Sequence, residues 1–158
     1  MRIGQSTDIH PLVKDRPLIL GGIHIPFEMG CLGHSDADAL THAIAEAILG
    51  ALALGDLGKH FSDTDPKYKD ISSLLILKEV VLKMKAKHYH IGNIDALVLI
   101  ERPKLAPYID QMKTSLCAVL EINNDQLNLK ATRGEGLGFI GKGEGIVAQA
   151  VVILEETC

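Results

Sequence analysis

Tryptophan is absent, and aromatic residues make up only 4% of the chain. Cations are scarce too: 16 Lys and Arg stand against 20 Asp and Glu, a formal charge of −4. A mildly acidic chain with few aromatics is a poor partner for a nucleic-acid backbone, and no nucleic-acid ligand is expected. No apolar run approaches a membrane span, and Met1-Arg2-Ile3-Gly4 opens no apolar signal core. A membrane partner is therefore not expected either. Cysteine is limited to Cys31, Cys117 and Cys158, an odd number with no C-x-x-C. That spacing excludes a disulfide framework and a zinc knuckle, and it fits a reducing cytoplasm. Also missing are G-x-x-x-x-G-K-[ST], G-x-S-x-G and H-E-x-x-H, which disfavours a P-loop enzyme, a serine hydrolase and a zincin protease.

What remains is an ordinary globular composition, 47% hydrophobic and 23% charged over 158 residues. It fits one catalytic domain, residues 1–158, with no repeat or linker to split it. Arg2 to His10 reads as a first strand, and Pro17 to Gly22 with Ile23 to Pro26 as a hairpin broken at Gly21-Gly22. Ala37 to Leu52 is rich in Ala, Leu and Ile and predicts a helix. Its apolar side is Leu40, Ile44, Ala47, Ile48 and Ala51, at spacings of three and four. Ser72 to Lys87 predicts a second amphipathic helix, with Leu75, Val80 and Met84 offered to the core. Ile91 to Ile100 is a β-branched run, Pro107 to Leu120 a third helix, and Leu127 to Thr132 another strand. His88-Tyr89-His90 has the look of a metal tract but leads into a strand, where a surface strand edge is the better reading. Gly145 to Leu154 is nearly all apolar and is expected to be buried on both faces. Intermixed strands and helices give an α/β (α+β) class with one mixed sheet covered by helices.

The chemistry concentrates near the start. Asp8 and His10 are two apart, so a strand puts both side chains on one face. His42 lies one turn inside the first helix. One carboxylate and two imidazoles make a three-ligand set for a borderline metal such as Zn²⁺, with a fourth position open, the pattern of catalytic zinc. A half-buried strand face and an ordinary helix histidine remain the plainer alternative. Ser35 is a good N-cap with Asp38 three residues on, and Asp36 and Asp38 suit the positive helix end, so capping competes with catalysis for all three. His34, just outside the helix, is placed to help its free N–H groups hold a phosphate. Glu46 shares a face with His42 one turn away and is a candidate for orienting its imidazole.

The segments 55–58 and 61–66 are dense in Asp, Gly and hydroxyls, as suits either ordinary turns or recognition of a polyol. Arg133-Gly134-Glu135-Gly136 and Gly141-Lys142-Gly143-Glu144-Gly145 bring cations and glycines to strand ends, where they either meet phosphate or simply turn.

Seven motifs occur in one order: Asp8-x-His10; His34-Ser35-Asp36-Ala37-Asp38 with His42; Gly55-Asp56-Leu57-Gly58; Asp63-Thr64-Asp65-Pro66; Pro103-Lys104; Lys130-Ala131-Thr132; and Gly138-Phe139-x-Gly141-x-Gly143-Glu144-Gly145. Together they resemble the 2-C-methyl-D-erythritol 2,4-cyclodiphosphate synthases of the non-mevalonate isoprenoid pathway, over essentially the whole chain. The resemblance implies a homotrimer with active sites between neighbouring subunits. It implies a lyase reaction on 4-diphosphocytidyl-2-C-methyl-D-erythritol 2-phosphate, whose 2-phosphate attacks the β-phosphorus and expels CMP.

By the same resemblance Asp8, His10 and His42 hold Zn²⁺ or another divalent transition metal, and Asp8, His10, His34 and Ser35 meet the substrate. Asp56, Leu57, Gly58, Phe61, Ser62, Asp63, Thr64 and Asp65 would hold the methylerythritol part. Ile100, Glu101, Arg102, Pro103, Lys104, Leu105 and Ala106 would bind the cytidine diphosphate end with Thr132, Arg133, Gly134 and Glu135. Glu135 would also place Mg²⁺ or Mn²⁺ between the phosphates, and Phe139 and Lys142 border a cavity on the trimer axis. His34 and Arg133 are the implied catalytic pair. The chain departs from the family at Arg133, where Thr is common, at Lys142, where Arg is common, and at Glu46, where Asp is common. Two competing readings are a zinc-dependent phosphoesterase, distinguished by releasing inorganic phosphate, and a metal-dependent binding protein without turnover.

Overall fold

The structure is a computed structural model and describes residues 1–62 and 64–157. Strand β1 (Arg2–Lys14) is longer than the predicted Arg2–His10. It pairs along one edge with β7 (Gly145–Glu156) from Arg2↔Leu154 to Pro11↔Gly145. At its end the other edge takes up the short β4 (Met29–Cys31), which carries no distinctive sequence pattern. Its side chains alternate as period two requires: Gly4, Ser6 and Leu12 are buried on the inner face, while Ile3, Gln5, Thr7 and Ile9 are exposed on the outer. Asp8 and His10 fall on the inner, half-buried side.

The predicted hairpin forms as β2 (Leu18–Leu20) and β3 (Ile23–Ile25), turning at Gly21-Gly22, both at positive φ. It makes a two-stranded sheet of its own, so the single sheet expected becomes one main sheet and one small one. The main sheet has the order β4-β1-β7-β5-β6, with β5 at Tyr89–Leu99 and β6 at Leu127–Thr132. Only β5 and β6 are parallel, so the sheet is mixed, as expected. His88, exposed and at positive φ, precedes β5, and half-buried Tyr89 and exposed His90 open that strand, pairing with β7 alone, as the strand-edge reading required.

Helix α1 (Ala39–Ala51) packs across β1 and β7 with all five residues of its predicted stripe buried. It lies directly on β1, because a Cβ at Gly4 would run into the Ala47 carbonyl oxygen. A single turn, α2 (Leu57–His60), follows, then α3 (Ser73–Ala86) against α1, and α4 (Ile109–Leu120) beside α3 and β6. In α3 the core residues are Ile76, Leu77, Val80, Val81 and Met84. Leu75, expected inside, is 55% exposed, because the buried stripe of α3 runs through Ile76, Leu77, Val80, Val81 and Met84 and leaves it on the outer side. A last turn, α5 (Gly138–Gly141), precedes β7.

The expectation for β7 holds only in part. Gly145–Ala148 are buried on both faces, but beyond them burial alternates, with Gln149 and Val151 exposed. The physical reason is that helices cover one face of the main sheet only. Ile3, Ile9 and Val151 are therefore 63%, 57% and 43% exposed on the other. No described helix is long and apolar enough to cross a membrane.

Candidate metal centre and active site

Three side chains from two elements converge beneath α1. Asp8 and His10 come from the inner face of β1, and His42 from the first turn of α1. Asp8 Oδ2 lies 3.0 Å from His10 Nε2 and 3.2 Å from His42 Nδ1. One ligand atom from each lies within 4.8 Å of the others, and among the described residues this is the one such group. The set is one oxygen and two imidazole nitrogens, which suits a borderline divalent cation. The ring of His10 is held in a usable state. Its Nδ1 lies 2.8 Å from the Leu32 carbonyl, which can only accept, so Nδ1 carries a proton, and Nε2, the nitrogen that meets Asp8, is the one that would ligate a metal once it gives up its own.

The electrostatics follow from this clustering. Burial raises the Asp8 pKa, yet hydrogen bonds and charge from His10 and His42 outweigh it and hold the carboxyl well below its ordinary range. For His10, burial works downward, but Asp8 prevails and the pKa rises above 6.5. Nearby, burial pushes the Cys31 thiol up to about 12, with the Asp38 and Asp8 charges adding to it. That thiol is an inert core group, in keeping with the absence of cysteine from every proposed site.

The segment before α1 does different work from that expected. The N-cap is Asp38 rather than Ser35, because Ala37 sits at φ 56° and delays the helix start. Asp38 is fully buried and accepts from Thr41 N, Thr41 Oγ1, Gly21 N and Gly22 N, which pins the hairpin turn to the helix. Burial raises its pKa even against the bonds from Thr41 and Gly22. Asp36 accepts from Asp38 N at 3.3 Å and from Ser73 N at 2.9 Å, so it joins the start of α1 to the first turn of α3. Ser35 Oγ accepts from Ala37 N and lies 3.3 Å from His42 Nε2. Glu46 does not touch His42: it accepts from Ser6 Oγ at 2.7 Å and from Leu57 N at 3.3 Å. Its carboxylate ties α1 to β1 and to the start of α2.

A cavity of about 450 Å³ opens onto the triad. Its walls include Asp8, His10, His42, His34, Ser35, Leu57, Gly58 and Phe61, all drawn from the sequence-based site. They also include Gly33, Glu46, Tyr68 and Ile76, of which only Glu46 carried a signal in the sequence. Asp56 and Asp65 cap local turns through Lys59 N and Lys67 N, and Ser62 and Thr64 share a hydroxyl hydrogen bond. Asp63 lies outside the described residues.

A second cavity of about 160 Å³ sits at the C-terminal ends of β5 and β6, lined by Ile100, Pro103, Lys104, Leu105, Ala106, Ala131, Thr132 and Arg133. Arg102 and Lys142 border another cavity with Glu101, whose carboxylate accepts from Gly134 N at 3.0 Å. Glu135 is an exposed loop residue at positive φ, and Phe139 is 42% exposed beside Gly145. The triad cavity and the cavity at the ends of β5 and β6 share no lining residue. Across the sheet, Ile9 is level with Val147, Leu99 and Thr132, so three strand spacings, roughly 14 Å, separate the two halves.

The chain and its fold are similar to those of known proteins. The profile of the YgbB family matches residues 1–155. The 2-C-methyl-D-erythritol 2,4-cyclodiphosphate synthase of Lachnospira eligens is 56% identical over 154 residues, covering 98% of this chain and 84% of that protein. A solved structure of such a synthase in its CDP-bound form superposes with TM-score 0.90 at 36% identity, covering 98% and 100% of the two chains. The bifunctional IspDF from Campylobacter jejuni gives TM-score 0.94 at 37% identity; it matches 98% of this chain, which spans only 42% of that longer protein. Full-length matches of this strength in both sequence and fold leave one assignment: the chain belongs to the YgbB family, that of the 2-C-methyl-D-erythritol 2,4-cyclodiphosphate synthases.

Proposed function

We propose that the protein converts 4-diphosphocytidyl-2-C-methyl-D-erythritol 2-phosphate to 2-C-methyl-D-erythritol 2,4-cyclodiphosphate and CMP. The observation that carries this reading is the convergence of Asp8, His10 and His42 on one cavity that also holds His34 and Ser35. Asp8 Oδ2, His10 Nε2 and His42 Nδ1 would hold Zn²⁺ or a similar cation, which when bound neutralises diphosphate charge as a Lewis acid. His34 and Ser35 stand beside it as donors to phosphate oxygens. Leu57, Phe61, Tyr68 and Ile76 wall the cavity with apolar surface, which suits a methyl-bearing carbon skeleton and keeps water from competing as nucleophile. An oxygen of the 2-phosphate bonds to the β-phosphorus, the bond from that phosphorus to the α-phosphate oxygen breaks, and CMP leaves with the electron pair. Holding both ends of one molecule is what gives such a ring closure its rate.

The second cavity suits the nucleotide end. Lys104 and Arg133 supply cations, Thr132 a hydroxyl, and Pro103, Leu105 and Ala106 an apolar bed. Glu135 offers one exposed carboxylate, enough for Mg²⁺ or Mn²⁺ when substrate phosphates supply further oxygens. Arg133 brings positive charge to the α-phosphate that leaves as CMP, the catalytic role proposed for it. Self-association into a homotrimer is supported by two features: the uncovered sheet face bearing Ile3, Ile9 and Val151, and the separation of the two half-sites. A triad from one subunit and a nucleotide cavity from its neighbour would then share one substrate.

Phosphorus NMR of the purified protein with this substrate and Mg²⁺ tests the reading. Equimolar CMP and cyclic diphosphate are expected. Release of inorganic phosphate instead would identify a zinc phosphoesterase and overturn it.

A further inference from the structure

Ser73 belongs to no motif that marks the site, yet it touches the metal-facing histidine. It is fully buried at the first turn of α3, and its Oγ lies 2.8 Å from His42 Nε2. The same hydroxyl bonds to Asp36 Oδ1, while its backbone N–H donates to Asp36 Oδ2 at 2.9 Å. A serine hydroxyl has one proton, and a carboxylate can only accept. The proton therefore goes to Asp36, and Ser73 Oγ accepts from His42. That places a proton on His42 Nε2 and makes Nδ1, 3.2 Å from Asp8 Oδ2, the ring nitrogen left to face a metal. His10 holds a proton on its Nδ1 against Leu32, so the two histidines turn opposite ring nitrogens, Nε2 and Nδ1, toward one point beside Asp8.

We propose that Ser73, oriented by Asp36, is the positioning residue that makes His42 a metal ligand. The inference rests on the metal reading of Asp8, His10 and His42 and deepens it. Ser35 Oγ also approaches Nε2, but at 3.3 Å and while accepting from Ala37 N, so Ser73 is the closer partner. The contact has a second consequence. Asp36 N donates to Ile71 O and Asp70 N to His34 O, so the strip 34–36 is laced to 70–73 by backbone as well as by side chains. The metal ligand on α1 is thereby joined to the chain that re-enters α3 beyond Tyr68, itself a wall of the cavity.

Zinc affinity, measured by competition with a chromophoric chelator, separates this role from simple packing. Ser73→Ala removes the hydroxyl but keeps the backbone N–H that Asp36 caps, so α3 retains its start. Affinity should weaken by about 10- to 100-fold, the usual effect of losing a partner of a metal-bound histidine. The visible spectrum of the Co²⁺-loaded protein should change with it. Asp36→Asn, which leaves the serine hydroxyl without its anionic acceptor, should weaken zinc binding in the same direction. A folded Ser73→Ala or Asp36→Asn protein with wild-type zinc affinity would overturn the proposal, whatever its melting temperature. Wild-type protein that takes up no zinc, or that binds it as well as His42→Ala does, would instead bring down the metal reading and the relay with it.

Discussion

Asp8 and His10 lie 3.0 Å apart, and each has its pKa moved by the other, Asp8 downward and His10 upward. A histidine with a raised folded pKa contributes stability below its unfolded value near 6.5, and loses it as pH rises through the folded one. A carboxyl with a lowered pKa contributes above its unfolded value near 3.8 and loses that as pH falls. The pair therefore stabilises the metal-free protein most between those two values. Melting temperature of chelator-treated protein should fall from about pH 6 to about pH 8, and Asp8→Asn should flatten that fall. Zinc-loaded protein should show the opposite trend, since its ligands bind metal only when deprotonated. Scanning calorimetry across that range checks both. An equal fall in the Asp8→Asn variant would place its origin elsewhere.

At the level of elements, the site depends on how closely α1 sits on β1. Gly4 is the position that permits it, having the Ala47 carbonyl oxygen where a Cβ would be. Two fixed backbones meet there, so no side-chain rotation relieves the collision. Gly4→Ala should cost about 3 kcal/mol, at or above the upper end of ordinary overpacking, read as a shift of the urea midpoint. Because α1 carries His42 and β1 carries Asp8 and His10, the same change should weaken zinc binding through a residue that touches no ligand. Unchanged stability and unchanged zinc affinity would show that the two elements yield more easily than their packing implies.

For the whole molecule, the decisive question is whether one chain completes a site. If the triad and the nucleotide cavity come from different subunits, two inactive variants should rescue one another. His42→Ala lacks the metal half, and Lys104→Ala with Thr132→Ala lacks the nucleotide half. After equal amounts are unfolded and refolded together, a site is sound when each contributing chain is sound in its own half. With independent odds of one half each, about a quarter of sites in a closed trimer should recover. Simple mixing of assembled protein should recover none. No activity after verified subunit exchange would assign both halves to one chain.

Much of this was legible in the chain itself because it depends on local periodicity. The two-residue step from Asp8 to His10 put both on one strand face, and the Ala, Leu and Ile spacing of α1 put His42 off its buried stripe. Tertiary structure decided what those patterns left open. Asp36, Asp38 and Ser35 are alike as hydrogen-bonding residues near a helix start, and their partners were settled by which backbone N–H groups the folded chain brought near. Asp38 took the hairpin turn, Asp36 took α3, and Glu46 took Ser6 rather than its helix neighbour His42. Ser73 gave no signal, being 31 residues from the histidine it touches. Leu75 and the outer residues of β7 also escaped a one-dimensional reading. An apolar residue's own sequence says that it favours burial, but only the arrangement of layers says whether anything lies over it.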